Sequence, residues 1–143
     1  MELPAPEVSC GTNCGGIFLS AMTRDASGRI LVGFVQFTAS GPVQKILRLL
    51  PAGTPDLSFG TGGFAATPLS TELFSPMSDL EVDAQNRIVA VTNDQVVRLL
   101  DDGSMDAGFG AGGAVGLDPS SDRSWTCSGD VFGACGLVVA PDG

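Results

Sequence analysis

The chain repeats itself. Arg48-Leu49-Leu50 followed by PAGTPDLSFGTGGF recurs as Arg98-Leu99-Leu100 followed by DDGSMDAGFGAGGA. Gly53, Asp56, Phe59, Gly60, Gly62 and Gly63 each find the same residue fifty positions on, at Gly103, Asp106, Phe109, Gly110, Gly112 and Gly113. Agreement at six positions in one register marks a tandem unit, and units of this size bury their apolar faces against neighbouring copies. A second block, Asp25-Ala26-Ser27-Gly28-Arg29-Ile30-Leu31-Val32, recurs 58 positions later as Asp83-Ala84-Gln85-Asn86-Arg87-Ile88-Val89-Ala90. The two offsets differ by eight residues. That difference predicts a hairpin loop of variable length, a long connection over Phe37 to Pro42 in the first copy and a tight one at Thr92-Asn93-Asp94 in the second. A third copy is expected to start at Leu137-Val138-Val139-Ala140-Pro141-Asp142-Gly143, which aligns with Met22 to Gly28 and stops in mid-hairpin.

With 20 glycines, 9 prolines and 43% hydrophobic residues, the chain is too apolar for disorder and too heavily punctuated for long helices. Apolar runs between turn signals give four strands per copy. The first copy is predicted to hold strands at Ile17 to Thr23, Arg29 to Phe37, Val43 to Leu50 and Gly63 to Pro68. The second holds them at Ser78 to Val82, Arg87 to Thr92, Gln95 to Leu100 and Ala114 to Leu117. The expected fold is all-β, with propeller-like four-stranded antiparallel blades, about two of them plus the start of a third; a β-sandwich is the alternative. The chain 1–143 reads as a single repeat domain with repeat 1 at 15–70, repeat 2 at 74–119, a cysteine-containing insertion at 120–135 and the start of repeat 3 at 136–143. Two blades and a fraction close no ring, so the chain is expected to be a fragment of a larger propeller or to self-associate through its open blade faces.

The recurring RLL, DGS-x-D-x-GFG-x-GG and D-x-x-GRI-x-V resemble the delta-60 beta-propeller repeat of bacterial, mostly exported or surface proteins. The resemblance covers nearly all of the chain after Gly15. It implies a propeller blade and a location outside the cytoplasm; that family has no general activity, so it supplies no catalytic residues. The first copy departs from the second in having Pro55-Asp56-Leu57-Ser58 where the second has Met105-Asp106-Ala107-Gly108, and both flanks carry cysteine insertions.

Composition removes several functions. Without histidine or tyrosine there is no imidazole base, no histidine metal ligand and no phenolic acid, which excludes the usual serine and cysteine hydrolase machinery and most catalytic zinc sites. A net charge of -9 leaves no basic surface for phosphates, so no nucleic-acid partner is expected. No apolar run approaches the roughly 20 residues of a membrane span, and the start MELPAPEVSC lacks signal-peptide order. Export would then require a signal that has been removed or lies upstream.

The repeat residues have bland readings beside sharper ones. Asp101, Asp102 and Asp106 are weak calcium candidates, since they crowd oxygen ligands into one loop. The first copy keeps only Asp56 of the three, which favours an Asp-Gly turn followed by an aspartate that caps the next turn. Phe59 and Phe109, set between glycines or beside them, are expected to drive a ring into the space between packed sheets. Gly108 to Gly113 satisfies G-x-G-x-x-G, but the Gly and Pro of Ala114 to Pro119 forbid the helix a dinucleotide site needs. Arg29 and Arg87 are expected to pair with Asp25 and Asp83 across their hairpins as exposed surface fixtures.

Cys10 and Cys14 precede the first strand of copy one, and Cys127 and Cys135 sit in the insertion before copy three. Two pairs in corresponding connections predict local disulfides, Cys10 to Cys14 and Cys127 to Cys135, since crossed bridges would span two blades. Such pairing implies an oxidising compartment, secreted, periplasmic or at the cell surface. Zinc is the rival, but C-x3-C and C-x7-C lack C-x2-C knuckles. Trp125, beside Cys127 and outside the repeat, is the candidate recognition residue; its bland reading is a packing plug over the bridge.

The expected function is a non-enzymatic binding or structural scaffold module that contacts a protein or glycan through loops, or further blades, with no cofactor expected and calcium only a weak candidate. One alternative is a carboxylate-dependent hydrolase or calcium-dependent lyase fragment using Asp79, Asp101, Asp102 and Asp130. The other is a mechanical spacer in a surface filament or adhesin.

Overall fold

The structure, a computed structural model, describes residues 16–68, 76–92 and 94–117. Those residues form two four-stranded antiparallel sheets. The first blade contains β1 (Ile17–Arg24), β2 (Ile30–Thr38), β3 (Gly41–Leu49) and β4 (Phe64–Ala66). The second contains β5 (Asp79–Val82), β6 (Ile88–Val91), β7 (Gln95–Leu99) and β8 (Ala114–Gly116). Within each sheet the strands lie in chain order, β1-β2-β3-β4 and β5-β6-β7-β8. Each blade is therefore an open antiparallel meander, and no strand passes from one sheet to the other as Greek-key sandwiches require. The eight elements match the eight expected strands to within two residues at each end.

The long loop expected over Phe37 to Pro42 does not exist. β2 and β3 stay paired from Ile30 opposite Leu49 to Thr38 opposite Gly41, nine positions, and turn within Ala39 and Ser40. β6 and β7 pair at four positions, from Ile88 opposite Leu99 to Val91 opposite Val96, and one further bond runs from the Thr92 N–H to the Gln95 carbonyl. The eight additional residues lengthen both arms of a hairpin whose turn remains tight. Gly41, with φ of 116°, supplies the backbone reversal.

Alternation along the strands sends one face of each sheet toward the other blade. Leu31, Ile46 and Ala65 of the first blade meet Leu80, Ile88, Ala90, Val97 and Leu99 of the second, with Phe59 and Met77 in the same buried cluster. Burying each larger side chain contributes about 1.5–3 kcal/mol, so these few residues dominate the joint. Met77 enters the first blade where Gly33 interrupts a row of bulky residues; a Cβ there would lie 2.5 Å from the Met77 sulfur. β1 runs alongside β5, placing the first strands of both blades together.

Candidate functional site

Two turn modules recur in both blades and set the charged side chains at their joint. In the first, Asp25 follows β1. Its Oδ1 accepts the N–H groups of Ser27 and Arg29, each at 2.9 Å, and Gly28 takes φ of 82° to close the turn. Arg29, returning along the hairpin, donates its Nε to Asp25 Oδ2. Asp83 repeats this with Gln85 and Arg87. At the position of Gly28 stands Asn86, with φ of 59°, the sole non-glycine residue at positive φ among the described residues. Asparagine tolerates the left-handed region better than other side chains, which explains the exchange. These pairs are not the exposed fixtures expected from the sequence: the side chains of Asp25 and Asp83 are each only 1% exposed. Their location behind the turn, under the returning chain, removes both carboxylates from water.

The second module follows β3 and β7. Gly53 N–H bonds to the Leu50 carbonyl, Asp56 N–H to Arg48, Phe59 N–H to Asp56 and Gly63 N–H to Phe59, and each bond has its counterpart fifty residues later. Asp56 Oδ2 accepts Arg48 Nε at 2.9 Å, while Asp106 accepts Arg98 Nε at 2.7 Å. The guanidinium carbon of Arg48 stands 4.5 Å above the Phe59 ring, and that of Arg98 stands 4.5 Å above Phe109. Each blade thus carries a stack of aspartate, arginine and phenylalanine. Arg48 and Arg98 had no role assigned from the sequence. Their recurrence in RLL, always eight residues before the recurring aspartate, was the available signal.

The blades join where the second blade's Asp-Gly turn meets this stack. Asp101 Oδ1 accepts Arg48 Nη1 at 2.9 Å and Arg29 Nη2 at 2.7 Å, and its carbonyl also accepts Arg48 Nη1. Gly60 N–H donates to the Asp102 carbonyl at 2.8 Å. Gly103 lies flat on the Phe59 ring, where a Cβ would be 2.9 Å from Cε2. One turn thereby engages both arginines, the phenylalanine and a backbone N–H of the preceding blade.

The electrostatics follow from these contacts. Burial pushes Asp25 up, but the hydrogen bonds and charge of Arg29 outweigh it and hold the carboxyl below its ordinary range. Asp83 is held low in the same way by Arg87 against the same burial penalty. The Ser58 hydroxyl, then Ser58 N–H and Arg48, lower Asp56. Burial opposes the charge on Arg29, yet Asp101 and Asp25 together raise its pKa. The Ser104 hydroxyl and N–H lower exposed Asp102.

The three calcium candidates are taken up separately: Asp101 by two arginines of the other blade, Asp102 by Ser104 and Asp106 by Arg98 and the Gly108 N–H. Among the described residues no three His, Cys, Asp or Glu side chains are grouped to hold a metal ion. Asp79 lies at the start of β5 with its Oδ1 on the Leu80 N–H, away from that turn. The expected buried ring is found at Phe59, which is 0% exposed, whereas Phe109 is only part-buried. Cys10, Cys14, Trp125, Cys127, Asp130 and Cys135 lie outside the described residues, as does the start of the third repeat. No helix among the described residues is long and apolar enough to cross a membrane.

A family model described as "Domain of unknown function (DUF5122) beta-propeller" matches residues 26–59, from the first hairpin turn to the phenylalanine of the first stack. No curated protein and no solved structure matches the chain.

Proposed function

We propose that this β-propeller repeat chain is a non-enzymatic binding or scaffold module of the delta-60 type, exported from a bacterial cell and contacting a protein or glycan through loops at one end of its blades. The observation that carries this reading is the duplicated arginine, aspartate and phenylalanine stack. Its charged groups are committed to one another in both copies, and in the first copy to the next blade as well. A charged set that recurs with the repeat serves the architecture of the repeat, which leaves recognition to residues that do not recur. Trp125 and the segment between Cys127 and Cys135 are such residues, and an aromatic in an insertion has the chemistry of a sugar or peptide platform.

Binding of the full chain to a glycan array, with and without Trp125→Ala, tests the site. The expected result is loss of the retained glycans in the variant while its far-ultraviolet circular dichroism is unchanged; equal retention by both proteins overturns the assignment. Peptide mapping without reductant is expected to recover the Cys10 to Cys14 and Cys127 to Cys135 bridges, in line with an oxidising compartment. Calorimetric titration with calcium separates this reading from a calcium-dependent lyase. The scaffold reading expects no heat and no rise in Tm, whereas a stoichiometric heat with thermal stabilisation would restore Asp101, Asp102 and Asp106 as a metal loop.

A further inference from the structure

The joint between the blades is a template for a second joint that the described residues leave open. At the first, Arg48 is nearly dry, its side chain 3% exposed, because the Asp101 turn covers it. At the second, Arg98 is 19% exposed and donates its Nε to Asp106 of its own blade, with Phe109 part-buried beneath it. Arg87 occupies the place of Arg29, 24% exposed, with its Nη2 on Gln85 instead of on an acid from another blade. Gly110, the counterpart of Gly60, has φ of 55° against 53°, so the peptide that offers an N–H to the arriving turn is set alike in both blades. Around the arginine, Val89 and Val115 continue the face that Leu31 and Ala65 form in the first blade.

We infer that this face of the second blade is a socket for a further blade whose Asp-Gly turn carries an acid at the position of Asp101. The incoming carboxylate bridges Arg87 and Arg98, its turn carbonyl takes the Gly110 N–H, and its glycine lies on Phe109. Neither described blade of a second copy of this chain fits. Its own first blade presents Pro51 where the acid is required, and the Asp101 of its second blade already holds Arg29 and Arg48. Charge complementarity therefore selects a repeat with an aspartate or glutamate in that turn. The inference deepens the scaffold reading but rests on Arg87, Arg98 and Gly110 and not on Trp125, so glycan capture and blade docking are read on different variants and fail separately.

Two cyclised peptides test it against the isotope-labelled full chain by NMR: RLLDDGSMD, the sequence of 98–106, and RLLPAGTPD, the sequence of 48–56. The first is expected to shift the Gly110 amide and the Arg98 Nε–H signals saturably. The second is expected to bind roughly tenfold more weakly, the loss that goes with one charge-assisted contact. Arg98→Gln, or Arg87→Gln should the former disturb the fold, is expected to abolish the difference between the peptides while leaving the amide pattern of the first blade unchanged. Equal response to both peptides, response confined to residues other than those of the socket, no response at all, or discrimination that survives both substitutions overturns the inference.

Discussion

Asp25 and Asp83 each perform three tasks with one carboxylate: they cap a turn through two backbone N–H groups, hold an arginine, and fill a space closed to water. The sequence told that these aspartates pair with Arg29 and Arg87, because a four-residue spacing across a Gly or Asn turn brings the ends together. Burial was not legible, since it depends on how the turn lies against the neighbouring chain. The consequence is a dependence of stability on acid. Asp25, Asp56 and Asp83 have lowered folded-state pKa values. Their stabilisation is fully present above the unfolded value of about 4 and disappears as pH falls through the lower folded values. Urea midpoints are expected to change little from pH 7 to about 5 and to drop steeply below about 4. Asp25→Asn keeps the turn acceptor but deprives Arg29 of its counter-charge within the blade. It is expected to cost about 1–3 kcal/mol at pH 7 and to flatten the acid limb. A variant with an unaltered acid limb would show that this carboxylate is not the one titrating.

At the scale of elements, strand number and order were readable because turn signals and apolar runs alternate so regularly. The error over Phe37 to Pro42 has a physical reason. Thr38, Ser40, Gly41 and Pro42 look like loop residues, yet a strand pair that reaches beyond its neighbour's end tolerates polar residues and a proline at its tip. Glycines offer the sharpest test of the turn modules, because repeat symmetry supplies an internal control. Gly53 and Gly103 have φ of 84° and 87° in equivalent turns. A Cβ on Gly53 meets nothing within 4 Å, while one on Gly103 meets Phe59 at 2.9 Å and the Gly60 N at 3.1 Å. Gly53→Ala should therefore cost only backbone strain, about 1–2 kcal/mol. Gly103→Ala adds an overpacking cost of about 1–3 kcal/mol because it wedges the blades apart. Chemical denaturation of the two single variants measures the difference directly; equal losses would mean that the second turn does not press on Phe59.

For the whole molecule, what sequence could not reveal is which residues hold one blade to the next. Arg48 and Asp101 lie 53 positions apart and Arg29 and Asp101 lie 72 apart, and neither separation leaves a local pattern. Asymmetry between the copies was visible, since Pro51 replaces the acid, but it gained meaning only once the turn was seen in contact with the other blade. A stack of repeats unfolds as one unit only while its joints are stronger than the repeats are independent. Asp101→Ala removes both arginine contacts of that carboxylate and leaves each arginine its partner within the blade, Asp25 or Asp56. Because the Asp101 side chain is 50% exposed, solvent screens the pair, and the expected loss is about 1–2 kcal/mol, not the larger penalty of a fully buried ion. Hydrogen exchange should show the loss at the joint: amides of Gly60 and Phe59 open first, ahead of the central pairs of β2 with β3 and β6 with β7. Asp102→Ala is the control, for its exposed carboxylate makes its hydrogen bonds within its own turn, to Ser104. If the two variants lose protection at the same amides to the same degree, the acid at 101 does no more than shape its own turn, and the blades are held together by their apolar faces and the backbone carbonyls of that turn.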